Sequence, residues 1–434
     1  MPLRDCAHCG QTFTPFLRFP TRPTAPRTPA NAPAESFGFR IGFEMIQTIA
    51  TTDLEVSAPG SIATRTTGSA IAKSVQRSPR SVPQGSRLFP DTLGRSTPRR
   101  PRSGSIARGA TTLVHARTAR RPARLRGVLA PVLTPFTRDL RPDVRRFVEH
   151  ARWLLDSGAG LAIFGTNSEA ASLTVDERIE LTDALLAAGV PAARMIPGTG
   201  CCAIADTVRL SAHAVGAGAA GVLMLPPFYY KGVGDEGLFA YYSEVIERVA
   251  DERLALYLYH IPAMSGVSIS MQLIERLLKR YPGVVAGAKD SSGDWDNTRR
   301  MILGFASSGF DVFPASEMLL SRALPIGAAG CISATVNINP AAIHAVYAAD
   351  AARREPLQAD IDAVRRIVQA RPMIPAMKHV LARFGGHADW AVVRPPLEAF
   401  GADPGRELVQ QLLDVGFGMP GLPAVPGARE AAAT

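Results

Sequence analysis

Long apolar runs are missing from this chain: none approaches the ~18 residues that a membrane-crossing helix needs, which excludes an integral membrane protein of that kind. Cysteine is scarce, with five in 434 residues, too few and too scattered for a disulfide framework. Acidic residues are sparse in one region only. Residues 1–126 carry 20 Lys+Arg against 6 Asp+Glu, and the rest of the chain carries 28 against 32. The formal charge of +10, which taken whole resembles that of a nucleic-acid binder, therefore belongs to one segment. That same segment holds 14 of the 35 prolines and few large apolar side chains. It cannot bury enough surface to offset backbone ordering of ~1–2 kcal/mol per residue, so residues 1–126 are expected to be a disordered basic extension.

Functional readings of that extension carry less weight. It is Arg- and Ser-rich like an organellar transit peptide but several times too long. An Arg-rich tail could bind phosphates without sequence specificity, so nucleic acid is not an expected partner of the folded part. Cys6-Ala-His-Cys9 has the spacing of half a zinc site, yet no second pair follows nearby, and no metal is expected. An over-extended reading frame, with the true start near Leu113 or Val114, would also account for the composition.

From Gly127 the texture changes. Eight apolar runs appear, each followed by a segment with apolar residues at helical spacing. The runs are 127–136, 161–166, 195–200, 221–228, 254–262, 284–291, 311–316 and 330–337. Strands so uniformly apolar are buried on both faces, which implies a parallel sheet covered by helices. Eight such units close into an α/β fold of the (β/α)₈ TIM-barrel type over 127–350. An open doubly wound sheet fits less well, because the glycine-rich phosphate fingerprint is absent after the first run. Residues 351–417 read as a C-terminal helical extension broken at Pro372, Pro375 and Pro395-Pro396, and 418–434 as a flexible tail.

In such a barrel the chemistry lies at the carboxyl ends of the strands. Those ends carry Thr166-Asn167-Ser168-Glu169, Gly198-Thr199-Gly200, Phe228-Tyr229-Tyr230, Tyr259-His260 and Lys289-Asp290. Lys289 is the most informative of these. It ends Val-Val-Ala-Gly-Ala, so its stem must cross the core, where a charged amine is costly unless paired. A free amine there attacks carbonyl carbon. The plainer alternative is a strand-end lysine reaching solvent or paired with Asp290. Tyr259 ends the neighbouring run and can supply the proton that imine formation needs, with Thr166 and Tyr229 as relay partners.

These residues, with Thr134-Pro135-Phe136, Gly165-Thr166, Pro227-Phe228-Tyr229, Leu258-Tyr259-His260-Ile261-Pro262 and Gly287-Ala288-Lys289-Asp290-Ser291-Ser292-Gly293, resemble the Schiff-base aldolases and lyases typified by dihydrodipicolinate synthase and N-acetylneuraminate lyase. The resemblance runs from Gly127 to about Phe417. It implies that Lys289 forms an imine with pyruvate and that Tyr259 moves protons, assisted by Thr166 and by a Tyr229 that reaches the neighbouring subunit. It further implies a homodimer or homotetramer, a carboxylate site at the backbone around Asn167 and Ser168, and a far wall formed by Ile332.

Three departures stand out. Asn167 and Ser168 replace a hydroxyl and a glycine, and His260 replaces asparagine. Met264 stands where the synthases carry an arginine for the second substrate's carboxylate, and a thioether cannot pair with a carboxylate. The expected function is a cytoplasmic pyruvate-type aldolase or lyase without metal or other cofactor. Its partners are a 2-oxo acid and an aldehyde, and its substrate is of the 2-keto-3-deoxy-sugar-acid kind. 4-Hydroxy-tetrahydrodipicolinate synthase and a deoxy-oxo-sugar-acid dehydratase are the alternatives. From another class, a silent barrel with a binding tail is disfavoured by the intact lysine–tyrosine set.

Overall fold

The computed structural model describes residues 123–423. The expected basic extension up to residue 122, with Cys6-Ala-His-Cys9 and the region of Leu113, lies outside the described residues, as do residues 424–434. Seven strands are formed: β1 Gly127–Ala130, β2 Gly160–Leu161, β3 Val222–Met224, β4 Leu256–His260, β5 Val285–Asp290, β6 Asp311–Pro314 and β7 Gly330–Ile332. All their pairings are parallel, in the orders β2-β1-β7 and β3-β4-β5-β6. Two seams join these sheets into one closed wall. At the first, Ala329 N–H donates to Val312 O (2.9 Å), bringing β7 beside β6. At the second, residues 195–198 bridge Leu161 to Met195 on one side and Gly198 to Leu223 on the other.

The third expected strand is therefore a stave held by isolated bridges. Pro197 removes one ladder donor, and Gly198 and Gly200 have no side chains to pack, so regular pairing does not propagate. The first strand is also shorter than its apolar run, ending before Pro131.

Long helices follow the runs as the apolar spacing predicts: Val144–Asp156, Val175–Ala187, Ile204–Gly216, Asp235–Val249, Met271–Arg280, Trp295–Phe305 and Pro340–Ala348. The second begins with a reciprocal cap. Thr174 Oγ1 accepts from Glu177 N–H (3.1 Å) and Glu177 Oε2 accepts from Thr174 N–H (2.9 Å), satisfying two donors that a helix start leaves unpaired. The barrel interior is filled by small residues and three large rings, Tyr257, Tyr259 and Phe313, with Ile332 and Leu129 among them. Helices Ala351–Gln369, Met373–Gly385 and Ala402–Asp414 pack on the outer core beside β1 and β2.

Two expected boundaries move. The fold begins before Gly127. Arg124 donates to Ala286 O (2.6 Å), and both Arg124 and Arg126 pair with Asp311, whose carboxylate is wholly buried at the amino end of β6. A buried carboxylate needs such partners, which is why these arginines are held. At the other end the chain does not loosen at Gly418. Met419 and Leu422 are buried in the outer core, and Pro420 O accepts from Trp153 Nε1 (2.9 Å).

Candidate active site

β5 delivers Lys289 through an irregularity. Leu256 pairs with Val285 but Tyr257 pairs with Gly287, so β5 spends one extra residue at Ala286. Before the slip Val285 faces the helices and Ala286 faces the interior; after it Ala288 faces the helices. Such a bulge re-aims every later side chain. Lys289 thereby turns into the barrel directly opposite its Cα partner Tyr259. Gly287 permits this close approach, since any Cβ there would collide with Asp311 O and the Tyr257 ring.

Lys289 is 2% exposed. Its Nζ donates to Tyr259 Oη (3.3 Å) and lies 4.4 Å from the centre of that ring. No carboxylate pairs with it among the described residues. Asp290, the plain alternative partner, points away and is already engaged. It accepts from Thr298 Oγ1 (2.6 Å), Asn297 Nδ2 (3.1 Å) and Ser292 N–H (3.0 Å). Thr166 Oγ1 sits 3.1 Å from Tyr259 Oη, so the lysine, phenol and threonine form one chain of proton-carrying groups. Burial alone would push the Tyr259 phenol up. The charge of Lys289 and the hydroxyl of Thr166 outweigh it and hold the phenol below its usual range, favouring proton release.

Thr166, Asn167 and Ser168 form a single 3₁₀ turn. The first N–H groups of such a turn have no partner within it. Ser168 N–H is spent on Gly165 O (3.1 Å), and its hydroxyl accepts from Gly165 N–H (3.1 Å). Ser168 is wholly buried and does not face the site, a correction to its expected role; the donors available to a carboxylate are those of Thr166 and Asn167. Ile332 is likewise corrected. Packed with Tyr259 and Phe313 in the interior layer, it does not line the cavity. His260, buried in place of the usual asparagine, accepts from Ile269 N–H at Nδ1 (3.0 Å) and so anchors the following loop.

A cavity of about 570 Å³ opens above Lys289. Thr166, Asn167, Tyr259, Lys289 and Met264 line one side; Ser316, Arg365, Met373, Ile374 and Leu397 line the other. Met264, 66% exposed, brings no charge. The opposite wall, unforeseen from sequence, comes largely from the C-terminal extension. There Arg365 Nη1 bonds Ser333 Oγ (3.0 Å) and Glu317 Oε2 (3.2 Å), and Glu317 also accepts from Ser333 and Thr335. Tyr229 is not brought to Tyr259 within the chain; it is 74% exposed and packs edge-to-face on Tyr230. Lys231, distant from Met264 in sequence but beside it in space, donates to Phe228 O and to the carbonyl of the next residue, Ser265 (2.8 Å).

A second buried lysine stands behind the turn. Lys378, on the apolar face of Met373–Gly385, pairs with Glu169 and donates to Val392 O (2.8 Å). Burial lowers its ammonium to about 8 against the pull of Glu169. A lysine among Ile374, Met377 and Leu381 is a signal that the sequence did contain. Among the described residues no cluster of three or more potential metal ligands occurs, and no helix is long and apolar enough to cross a membrane.

Residues 124–414 match the Dihydrodipicolinate synthetase family. An uncharacterized DapA-like lyase of Chloroflexus aurantiacus is 36% identical over 267 residues, covering 60% of this chain and 87% of that protein. The crystal structure of dihydrodipicolinate synthase from Agrobacterium tumefaciens superposes with a TM-score of 0.62 at 30% identity, over 67% of this chain and 99% of that one. A prophage protein of the dihydrodipicolinic acid synthase family from E. coli K12, solved with pyruvate, gives 0.62 at 25% identity, over 68% and 100%. With a match of this length laid over a closed parallel barrel and its interior lysine, the chain belongs to the dihydrodipicolinate synthetase family and is a lyase of that family.

Proposed function

We propose that the protein is a pyruvate-type aldolase in which Lys289 forms the imine and an uncharged polyhydroxy aldehyde is the second partner. The observation that carries this reading is a buried Lys289 amine whose hydrogen-bond partner is a phenol and not a carboxylate. The amine adds to the 2-oxo carbon. Tyr259, backed by Thr166, returns a proton to the carbinolamine oxygen so that it leaves as water. The N–H groups of Thr166 and Asn167 hold the carboxylate, as the open start of a turn does for anions. Tyr259, left as a phenolate, takes a proton from the adjacent methyl carbon to give an enamine. That carbon bonds to the aldehyde carbon, whose oxygen takes the proton back from Tyr259 and becomes a hydroxyl, and hydrolysis of the resulting imine frees Lys289; cleavage is the reverse.

The acceptor side supports a sugar-derived aldehyde over aspartate semialdehyde. Met264 offers no charge-assisted pair to a second carboxylate. Arg365, the cation in the opposite wall, is already matched by Glu317. Charged hydrogen bonds contribute roughly 1.5–3 kcal/mol, so their absence weakens a dicarboxylate-forming reaction by about 10–150-fold at ~1.4 kcal/mol per decade. Exposed Tyr229 fits a role in a second copy's relay, which makes the working unit at least a dimer.

Pyruvate with sodium borohydride should add a pyruvate-derived mass to Lys289. An unmodified Lys289 would sink the mechanism. Turnover of pyruvate with glyceraldehyde should exceed that with aspartate semialdehyde, and Met264→Arg should shift the ratio toward the semialdehyde. Efficient use of the semialdehyde by the unaltered protein would favour the synthase reading instead.

A further inference from the structure

Glu169 closes the turn that carries Thr166 and Asn167, and it does so in the left-handed region (φ 54°), a conformation that a residue with a Cβ holds only when its surroundings impose it. Those surroundings come from a distant part of the chain. The Glu169 carboxylate is buried, pairs with Lys378 through one oxygen and accepts from Arg394 N–H through the other (3.0 Å). Lys378 is itself wholly buried, with Nζ fixed by Val392 O (2.8 Å) and lying 4.4 Å from the centre of the Phe136 ring. Arg394 clasps the far end of the same loop through Ser172 O (2.6 Å), and it pairs with Glu177 at the start of the next helix. The segment 378–394 thus grips residues 166–172 at their middle, Glu169, and at their far end, Ser172.

A buried ion pair is a poor way to gain stability, since apolar residues of similar size commonly do as well. Its geometry is what an apolar pair cannot reproduce. We propose that Lys378 is a positioning residue of the reaction: by locking Glu169 it fixes the Thr166 and Asn167 N–H groups for a 2-oxo acid's carboxylate. The inference rests on the imine reading given above. Lys378 does not touch the substrate; it acts through Glu169 and the turn.

The test uses full-length protein and pyruvate alone, so no aldehyde need be known. The quantity measured is the pyruvate concentration giving half-maximal borohydride adduct at Lys289, read by mass spectrometry. Lys378→Met should raise it about tenfold or more, the scale of one lost hydrogen bond to a charged group. Lys378→Met also leaves a carboxylate buried without its partner, so the double variant Lys378→Met with Glu169→Gln is made alongside. If the ion pair positions the turn, the double variant regains thermal stability and keeps the raised pyruvate requirement. If the double variant regains the original requirement as well, Lys378 only neutralises a charge and the inference is overturned. An unchanged requirement in both variants overturns it too. Absence of an adduct in the unaltered protein would bring down the imine reading and this inference together, which separates that failure from the others.

Discussion

Lys289 ends a strand inside the barrel, and Lys378 lies on a helix packed against its outside; the two are 2% and 0% exposed. Their partners differ. Lys378 faces a carboxylate and a carbonyl, both of which favour the ammonium, although burial still lowers it to about 8. Lys289 faces a phenol that can give or take a proton, and its neighbour Asp290 has been turned aside by Thr298 and Asn297. The two buried amines thus differ in what answers them, a carboxylate for Lys378 and a phenol for Lys289.

Exchanging or removing these groups tests that contrast. The largest effect is expected for Lys289→Ala, which should lose the borohydride adduct and lower turnover by about 10⁴-fold or more, since a covalent nucleophile has no substitute. Labelling elsewhere with activity retained would show the wrong lysine has been assigned. Tyr259→Phe keeps the amine but removes its proton carrier. Turnover measured under saturation should fall about 10²–10⁴-fold, the range for a general acid–base group. Near-normal turnover would place the proton shuttle elsewhere.

A third buried base sharpens the comparison through stability. His150 is wedged between Trp153 and Trp390 with Nε2 on Asn337 (3.2 Å), and burial lowers its imidazole from 6.5 to about 4. The fold thus favours the neutral ring. Its stability contribution is complete above pH 6.5 and is lost as pH falls from there toward 4, amounting to about 3 kcal/mol. Denaturant unfolding of the parent and of His150→Gln across that window should show the extra acid sensitivity in the parent alone. Parallel curves would mean that His150 is not the sensing group.

Much of the barrel was legible because its evidence is local: apolar runs of strand length, helical spacing after each, and polar residues at the run ends. Lys289, Tyr259 and Thr166 were legible for the same reason, each being an unusual residue for its place. Ser168 and Ile332 came to the site through the family resemblance alone. The Ser168 N–H is spent on Gly165 O and the Ile332 side chain on the interior layer, partners that a matched motif does not reveal. Arg365 and Lys378 were missed because their meaning depends on where the C-terminal helices dock. That docking is a long-range packing event with no counterpart in local pattern.

The sequence alone determined that a parallel barrel forms and that one strand ends in a lysine beside a tyrosine-ended strand. Which way that lysine points was settled only in the folded sheet. Side chains alternate along a strand, so Val285 facing the helices would by itself send Lys289 to the helices as well. The extra residue at Ala286 reverses the alternation before Lys289 is reached. A bulge arises from how two strands share their hydrogen bonds around a closed wall, so only the assembled barrel could turn this amine inward.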